Sequence, residues 1–86
     1  MNYVVIDVRE PDEFEDGHVR GAINIPPAKL MNQPEDLVNI PKDAALIIYC
    51  RSGSRSSVSK NILQKLGYTN ITNGINQQQV EAKFDL

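Results

Sequence analysis

The run from Ala44 to Tyr49, with the segment that follows it, constrains this chain more than any other part. Ala-Ala-Leu-Ile-Ile-Tyr is a short, unbroken apolar stretch bounded by turn residues, the pattern of a strand buried on both faces. Beyond Cys50-Arg51-Ser52-Gly53-Ser54-Arg55, the residues Val58, Ile62 and Leu66 recur at helical spacing. A strand therefore passes through a tight polar loop into a helix. Serines suit the start of that helix, Lys60 and Lys65 lie toward its negative end, and Gly67 suits the left-handed residue beyond it. Cys50, the only cysteine, stands at the carboxyl end of the strand, where open α/β sheets place their ligands and chemistry.

The loop composition bears directly on that thiol. A glycine among small serines lets the backbone curl until successive N–H groups point at one spot, forming an anion-binding nest. The helix that follows adds unpaired N-terminal amides and the positive end of its dipole. Arg51 and Arg55 add formal positive charge. Each effect favours thiolate over thiol, so Cys50 is expected to ionise below the free value of about 8.5. This makes Cys50 a candidate nucleophile, with Arg51, Ser52, Gly53, Ser54 and Arg55 as candidate anion-binding residues.

Two further motifs precede the loop, Ile6-Asp7-Val8-Arg9-Glu10 and Gly17-His18-Val19-Arg20-Gly21-Ala22-Ile23-Asn24-Ile25-Pro26. With the Cys50 loop, in this order from near Tyr3 to about Ile71, they resemble the rhodanese-like family and specifically its single-domain sulfurtransferases. The resemblance implies a small rhodanese-type sheet and sulfur transfer through a Cys50 persulfide. A small anionic donor such as thiosulfate would supply the sulfur, and cyanide, a thiol or a sulfur-accepting protein would receive it. No metal or organic cofactor is implied. Where many members carry proline this chain has Arg20, and where they often show glycine-glycine-aromatic it has Asn73-Gly74-Ile75-Asn76, without tryptophan.

Composition sets the outer bounds. Eighty-six residues suit one small domain, 1–86, near the low end of what buries a core without metal or disulfides. A single cysteine allows no internal disulfide, which points to a reducing compartment. The first residues enter strand-like sequence at once, with no charged and apolar leader, and no run is long enough to span a bilayer. A cytoplasmic location is the expectation, with removal of a leader or a larger fusion left open. A net charge of −2 argues against nucleic acid as the main partner, so the loop arginines are read as a local field for a small anion.

Taken in order, Tyr3 to Ile6 reads as a first buried strand ending at Asp7, with Asp7 and Arg9 as a structural clamp close to the active loop. Glu10-Pro11-Asp12-Glu13 starts a short helix that Phe14 anchors and Gly17 ends. His18, the only histidine, is read as a scaffold residue rather than as a base for Cys50. Ala22 to Ile25 is a brief strand stopped by Pro26, Pro27 opens a helix through Met31, and Pro34-Glu35-Asp36 starts another turn. Met31, Leu37, Val38 and Ile40 are read as packing residues. Pro41-Lys42-Asp43 turns the chain toward the central strand. Asn70 to Thr72 reads as a last strand, Asn73-Gly74 as a turn, and Ile75 to Phe84 as a helix with Ile75, Val80 and Phe84 on one side. The alternation implies α/β, a mainly parallel sheet covered by helices on both faces.

Two other readings compete. A cysteine phosphatase or arsenate reductase of related architecture places its arginine one position later than Arg55, at residue 56, and that position is Ser56. A shorter loop suits a sulfane sulfur better than a tetrahedral oxyanion. A non-catalytic binding or sulfur-carrier module is the second; the binding module usually has its cysteine replaced, whereas Cys50 is present here.

Overall fold

The computed structural model describes residues 3–32 and 35–84. In chain order the elements are β1 (Val4–Asp7), α1 (Pro11–Glu15), β2 (Ile23–Asn24), α2 (Pro27–Met31), a 3₁₀ turn (Glu35–Leu37), β3 (Leu46–Cys50), α3 (Ser54–Lys65), β4 (Ile71–Asn76) and α4 (Gln77–Phe84). The four strands form one sheet in the order β2-β1-β3-β4, and every pairing is parallel. The α/β architecture expected from the alternation of elements is therefore present.

β3 occupies the inner position because it is apolar at every residue, and all five of its residues are buried. Strand alternation then divides the core. Leu46, Ile48 and Cys50 join Ile6, Val8, Ile25, Leu30, Leu37, Leu63 and Tyr68 on one face. Ile47 and Tyr49 join Val5, Val19, Ala22 and Val80 on the other, with Phe14 and Phe84 packed against them. α2 and α3 thus cover one face and α1 and α4 the other, and Cys50 points to the side that α3 covers.

Local chemistry explains most boundaries. Glu10 caps α1 through a reciprocal capping box with Glu13, and Pro11 occupies the first helical position. At the end of β1, the Asn24 side-chain amide donates to the carbonyls of Asp7 and Arg9, fixing where the chain leaves the sheet. The 3₁₀ turn begins at Glu35, and the Pro34 start expected for it lies outside the described residues.

Several expectations need correction. Met31 and Val38 are not packing residues: they are 71% and 75% exposed. Each follows a residue that takes the inward position, Leu30 and Leu37, and adjacent helical residues point about 100° apart. Leu37 is buried and Ile40 packs against the same core, as expected. On α3 the apolar stripe begins a turn late, since Ser56, Ser59 and Leu63 are buried while Val58 is exposed. Ser56 and Ser59 hold the inward positions of the first two turns, and Ser56 Oγ there meets Cys50 Sγ and Asn73 Oδ1.

Asn73-Gly74 is not a turn either. β4 runs through it to Asn76, with a bulge that pairs Ile48 with Asn73 and Tyr49 with Ile75 and leaves Gly74 between them. A Cβ on Gly74 would lie 2.3 Å from Val80 Cγ2 and 3.3 Å from Ile47 Cγ2. Glycine is there because α4 packs directly on the strand backbone. Ile75 consequently belongs to the strand, at φ 76°, and only Val80 and Phe84 serve the helix's packed side.

Candidate active site

Cys50 ends β3 and is 2% exposed. The loop after it turns back under the sulfur because Gly53, the residue before α3, adopts φ 95°, a left-handed conformation that glycine takes without strain. The Gly53 N–H then donates to Cys50 Sγ at 3.1 Å, and Ser56 Oγ lies 3.6 Å from the same atom.

Burial alone would push the Cys50 thiol up. The Ser56 hydroxyl and the backbone N–H groups of Ser56, Ser52 and Gly53 outweigh it and bring the thiol down to about 7. The groups that favour charge on the sulfur are the Ser56 hydroxyl and the amides of Ser56, Ser52 and Gly53, two of which lie in the loop expected to curl around it. Ser56 is a site residue that the sequence reading passed over. It sits at the third position of α3, whose backbone N–H is one of the free amides of any helix start, and that count was the available signal.

The two loop arginines separate in role. Arg55 makes a bidentate ion pair with Glu13, Nη1 to Oε1 at 2.6 Å and Nη2 to Oε2 at 3.1 Å. That pair, with the Glu10 N–H, holds the Glu13 carboxyl down to about 2. Arg51 is 74% exposed and touches Glu13 only at 3.8 Å. An open cavity of about 350 Å³ lies over the sulfur, walled by Arg9, Glu13 and Asp16 on one side, by Arg51, and by Asn76 at the end of β4 with Gln77 and Gln78 at the start of α4. Arg51 lines this space and Arg55 does not.

Arg9 was expected only as a clamp, and it is one. Its Nε and Nη2 donate to Asp7 at 2.9 and 2.6 Å, and Nη2 also reaches the Gly17 carbonyl. Asp7 is wholly buried, and Tyr49 Oη donates to it at 2.8 Å while accepting the Val19 N–H at 3.0 Å. Because Asp7 balances its charge, Arg9 adds shape and donors to the cavity wall more than net charge. His18 Nδ1 meets the Phe14 carbonyl at 2.8 Å and its ring stacks on Phe14 at 3.6 Å, at the end of α1 and outside the cavity lining. This is the scaffold role expected of it.

The family profile of the rhodanese-like domain matches residues 1–76. The chain belongs to the rhodanese-like family. This rhodanese-like chain is 38% identical over 68 residues to thiosulfate sulfurtransferase PspE of Escherichia coli, covering 79% of the chain and 64% of that relative. It is also 38% identical over 79 residues to the thiosulfate:glutathione sulfurtransferase of Saccharomyces cerevisiae, covering 80% of the chain and 57% of that relative. The chain thus spans less than two thirds of these curated relatives' own lengths. Among solved structures it resembles a rhodanese with anions from E. coli, with TM-score 0.79, 32% identity and 91% coverage of each chain. Among the described residues of this rhodanese-like chain, no helix is long and apolar enough to cross a membrane.

Proposed function

We propose that this chain is a thiosulfate sulfurtransferase working through a Cys50 persulfide. The observation that carries the reading is the sulfur itself: a buried thiol brought down to about 7 by loop amides and a hydroxyl, at the floor of an open cavity. Near neutral pH a large fraction of such a thiol is thiolate.

In the first half-reaction the thiolate attacks the outer sulfur of thiosulfate or a similar donor. The S–S bond to the sulfonate sulfur breaks, its electron pair leaves with sulfite, and Cys50 holds the transferred sulfur as an anionic persulfide. In the second, an acceptor thiolate or cyanide attacks that terminal sulfur, the new bond forms, and the electron pair returns to Cys50. The amides of Ser52, Gly53 and Ser56, the last at the start of α3, face negative charge in both halves. Arg51 neutralises the donor's sulfonate at the mouth, while Arg55 holds the loop against α1 through Glu13.

The names of the two relatives support thiosulfate as donor and a thiol as acceptor. The loop, with arginine at 55 and serine at 56, supports sulfur transfer over oxyanion chemistry, because Ser56 is packed beneath the sulfur where a phosphatase-type loop would place its arginine. Intact mass spectrometry tests the reading. Thiosulfate should add about 32 Da to the folded protein, cyanide should remove it, and Cys50→Ser should gain nothing. No adduct on folded protein would overturn the proposal.

A further inference from the structure

One side chain ties the Cys50 loop to the last strand. Asn73 Oδ1 accepts the backbone N–H of Ile75 at 3.0 Å, and Asn73 Nδ2 donates to the Gly53 carbonyl at 3.3 Å. These backbone partners fix the amide's orientation, since a reversed amide would set an oxygen against a carbonyl and an N–H against an N–H. The same Oδ1 lies 2.7 Å from Ser56 Oγ, so the hydroxyl supplies the proton of that contact. Ser56 Oγ also lies 3.1 Å from Gly53 O and 3.6 Å from Cys50 Sγ. A single hydroxyl proton therefore faces three acceptors, and Asn73 makes the shortest contact.

What that proton does depends on the charge of the sulfur. While Cys50 is a thiol, its S–H can donate to Ser56 Oγ and the hydroxyl proton rests on Asn73. Once the sulfur is ionised it competes for the hydroxyl proton, and Ser56 can turn to it because the Ile75 N–H still satisfies Asn73 Oδ1. The β4 bulge is what makes this possible, placing Asn73 opposite Ile48 and the Ile75 N–H within its reach.

We propose that Asn73 is a positioning residue for Cys50: it draws the Ser56 hydroxyl proton away from the neutral sulfur and yields it when the sulfur is charged. Asn73 thereby limits how strongly Ser56 favours the ionised site. This inference rests on the reading of Cys50 as the transfer residue. The charged groups around the sulfur are Arg51 of the loop, Arg55 of α3 with Glu13 of α1, Asp16 beyond α1, and Arg9 with Asp7 at the end of β1, while α4 brings only amides. None of them is altered in the test.

The test follows the pH dependence of Cys50 alkylation by iodoacetamide in the wild type, Asn73→Ala, Ser56→Ala and the double variant. The wild-type midpoint is expected near 7. Asn73→Ala should move it down by about 0.5 to 1 unit, the worth of one net hydrogen bond. Ser56→Ala should move it up, and adding Asn73→Ala to Ser56→Ala should change nothing further. An unchanged midpoint in Asn73→Ala, or the same downward shift with and without Ser56, would overturn the proposal. If Asn73→Ala lacks the wild-type circular dichroism spectrum, Asn73→Ser, which keeps a short uncharged polar side chain, takes its place. Its midpoint should fall in the presence of Ser56 and stay unchanged in the Ser56→Ala background; no fall, or an equal fall in both, would overturn the inference. Alkylation reads the thiol whether or not sulfur is transferred. Failed sulfur loading beside a Ser56-dependent shift would therefore count against the sulfurtransferase reading and for the role of Asn73.

Discussion

Arg51 and Arg55 carry the same charge four residues apart, yet their surroundings assign them different work. Arg55 is neutralised by a two-point contact with Glu13, whereas Arg51 stands in solvent on the cavity wall. If sulfur transfer proceeds as proposed, Arg51→Ala should raise the thiosulfate KM about five- to tenfold with kcat near the wild-type value, the loss of about 1 kcal/mol of charge contact. Arg55→Ala should change KM less than about twofold. Steady-state kinetics at constant ionic strength decides it, and equal effects from both would count against Arg51 as the donor contact. The sequence placed both arginines beside the sulfur; it held no sign of which one Glu13 takes, because that carboxylate is 42 residues from Arg55.

At the scale of elements, the Glu13–Arg55 pair joins α1 to α3 beside the mouth of the cavity. Glu13 titrates at about 2 in the folded protein against an ordinary value of 4.5. Between those values the unfolded chain binds a proton that the folded one does not, so the stability from this pair is present above about pH 4.5 and is lost as pH falls toward 2. Thermal melts across this window should show a steeper loss for the wild type than for Glu13→Gln, which has no proton to take up there. Parallel curves would mean that the pair contributes little. The helix start at Glu10-Pro11-Asp12-Glu13 was legible from its proline and acidic residues, whereas the capping box through which Glu13 also accepts the Glu10 N–H came only from the structure.

Across the whole molecule, the buried Tyr49 hydroxyl links the central strand to two distant parts of the chain, Asp7 of β1 and the Val19 N–H before β2. Tyr49→Phe keeps the ring in the core and removes both contacts, leaving a buried N–H without its acceptor and a carboxylate short of one donor. Denaturant unfolding should report a loss of about 1 to 3 kcal/mol. This is a large share of the total for a domain of this size, whose stability is on the order of 5 to 15 kcal/mol. A change under about 0.5 kcal/mol would show that the hydroxyl stabilises the fold little.

The sequence by itself determined the α/β plan with its parallel sheet, the order of the elements and the place of Cys50 at the end of the inner strand. Those features rest on local rules: an apolar run for the inner strand, turn residues at its end, and a glycine and serines opening a helix. Only the tertiary structure decided which side chains surround the sulfur. Ser56 was visible as a helix residue, but its hydroxyl belongs to the site because α3 packs close against β3 and β4. Asn73 read as a turn, since Asn-Gly favours turns when no neighbouring strand competes, and pairing with β3 extended β4 through it instead. Gly74 permits that path because it has no side chain to meet α4, whose Val80 lies where a Cβ would be. Arg51 and Arg55 were separated by an ion pair across 42 residues. Each of these outcomes depends on segments remote in the chain meeting in space, and the periodicity and turn rules of a single sequence describe only neighbours along it.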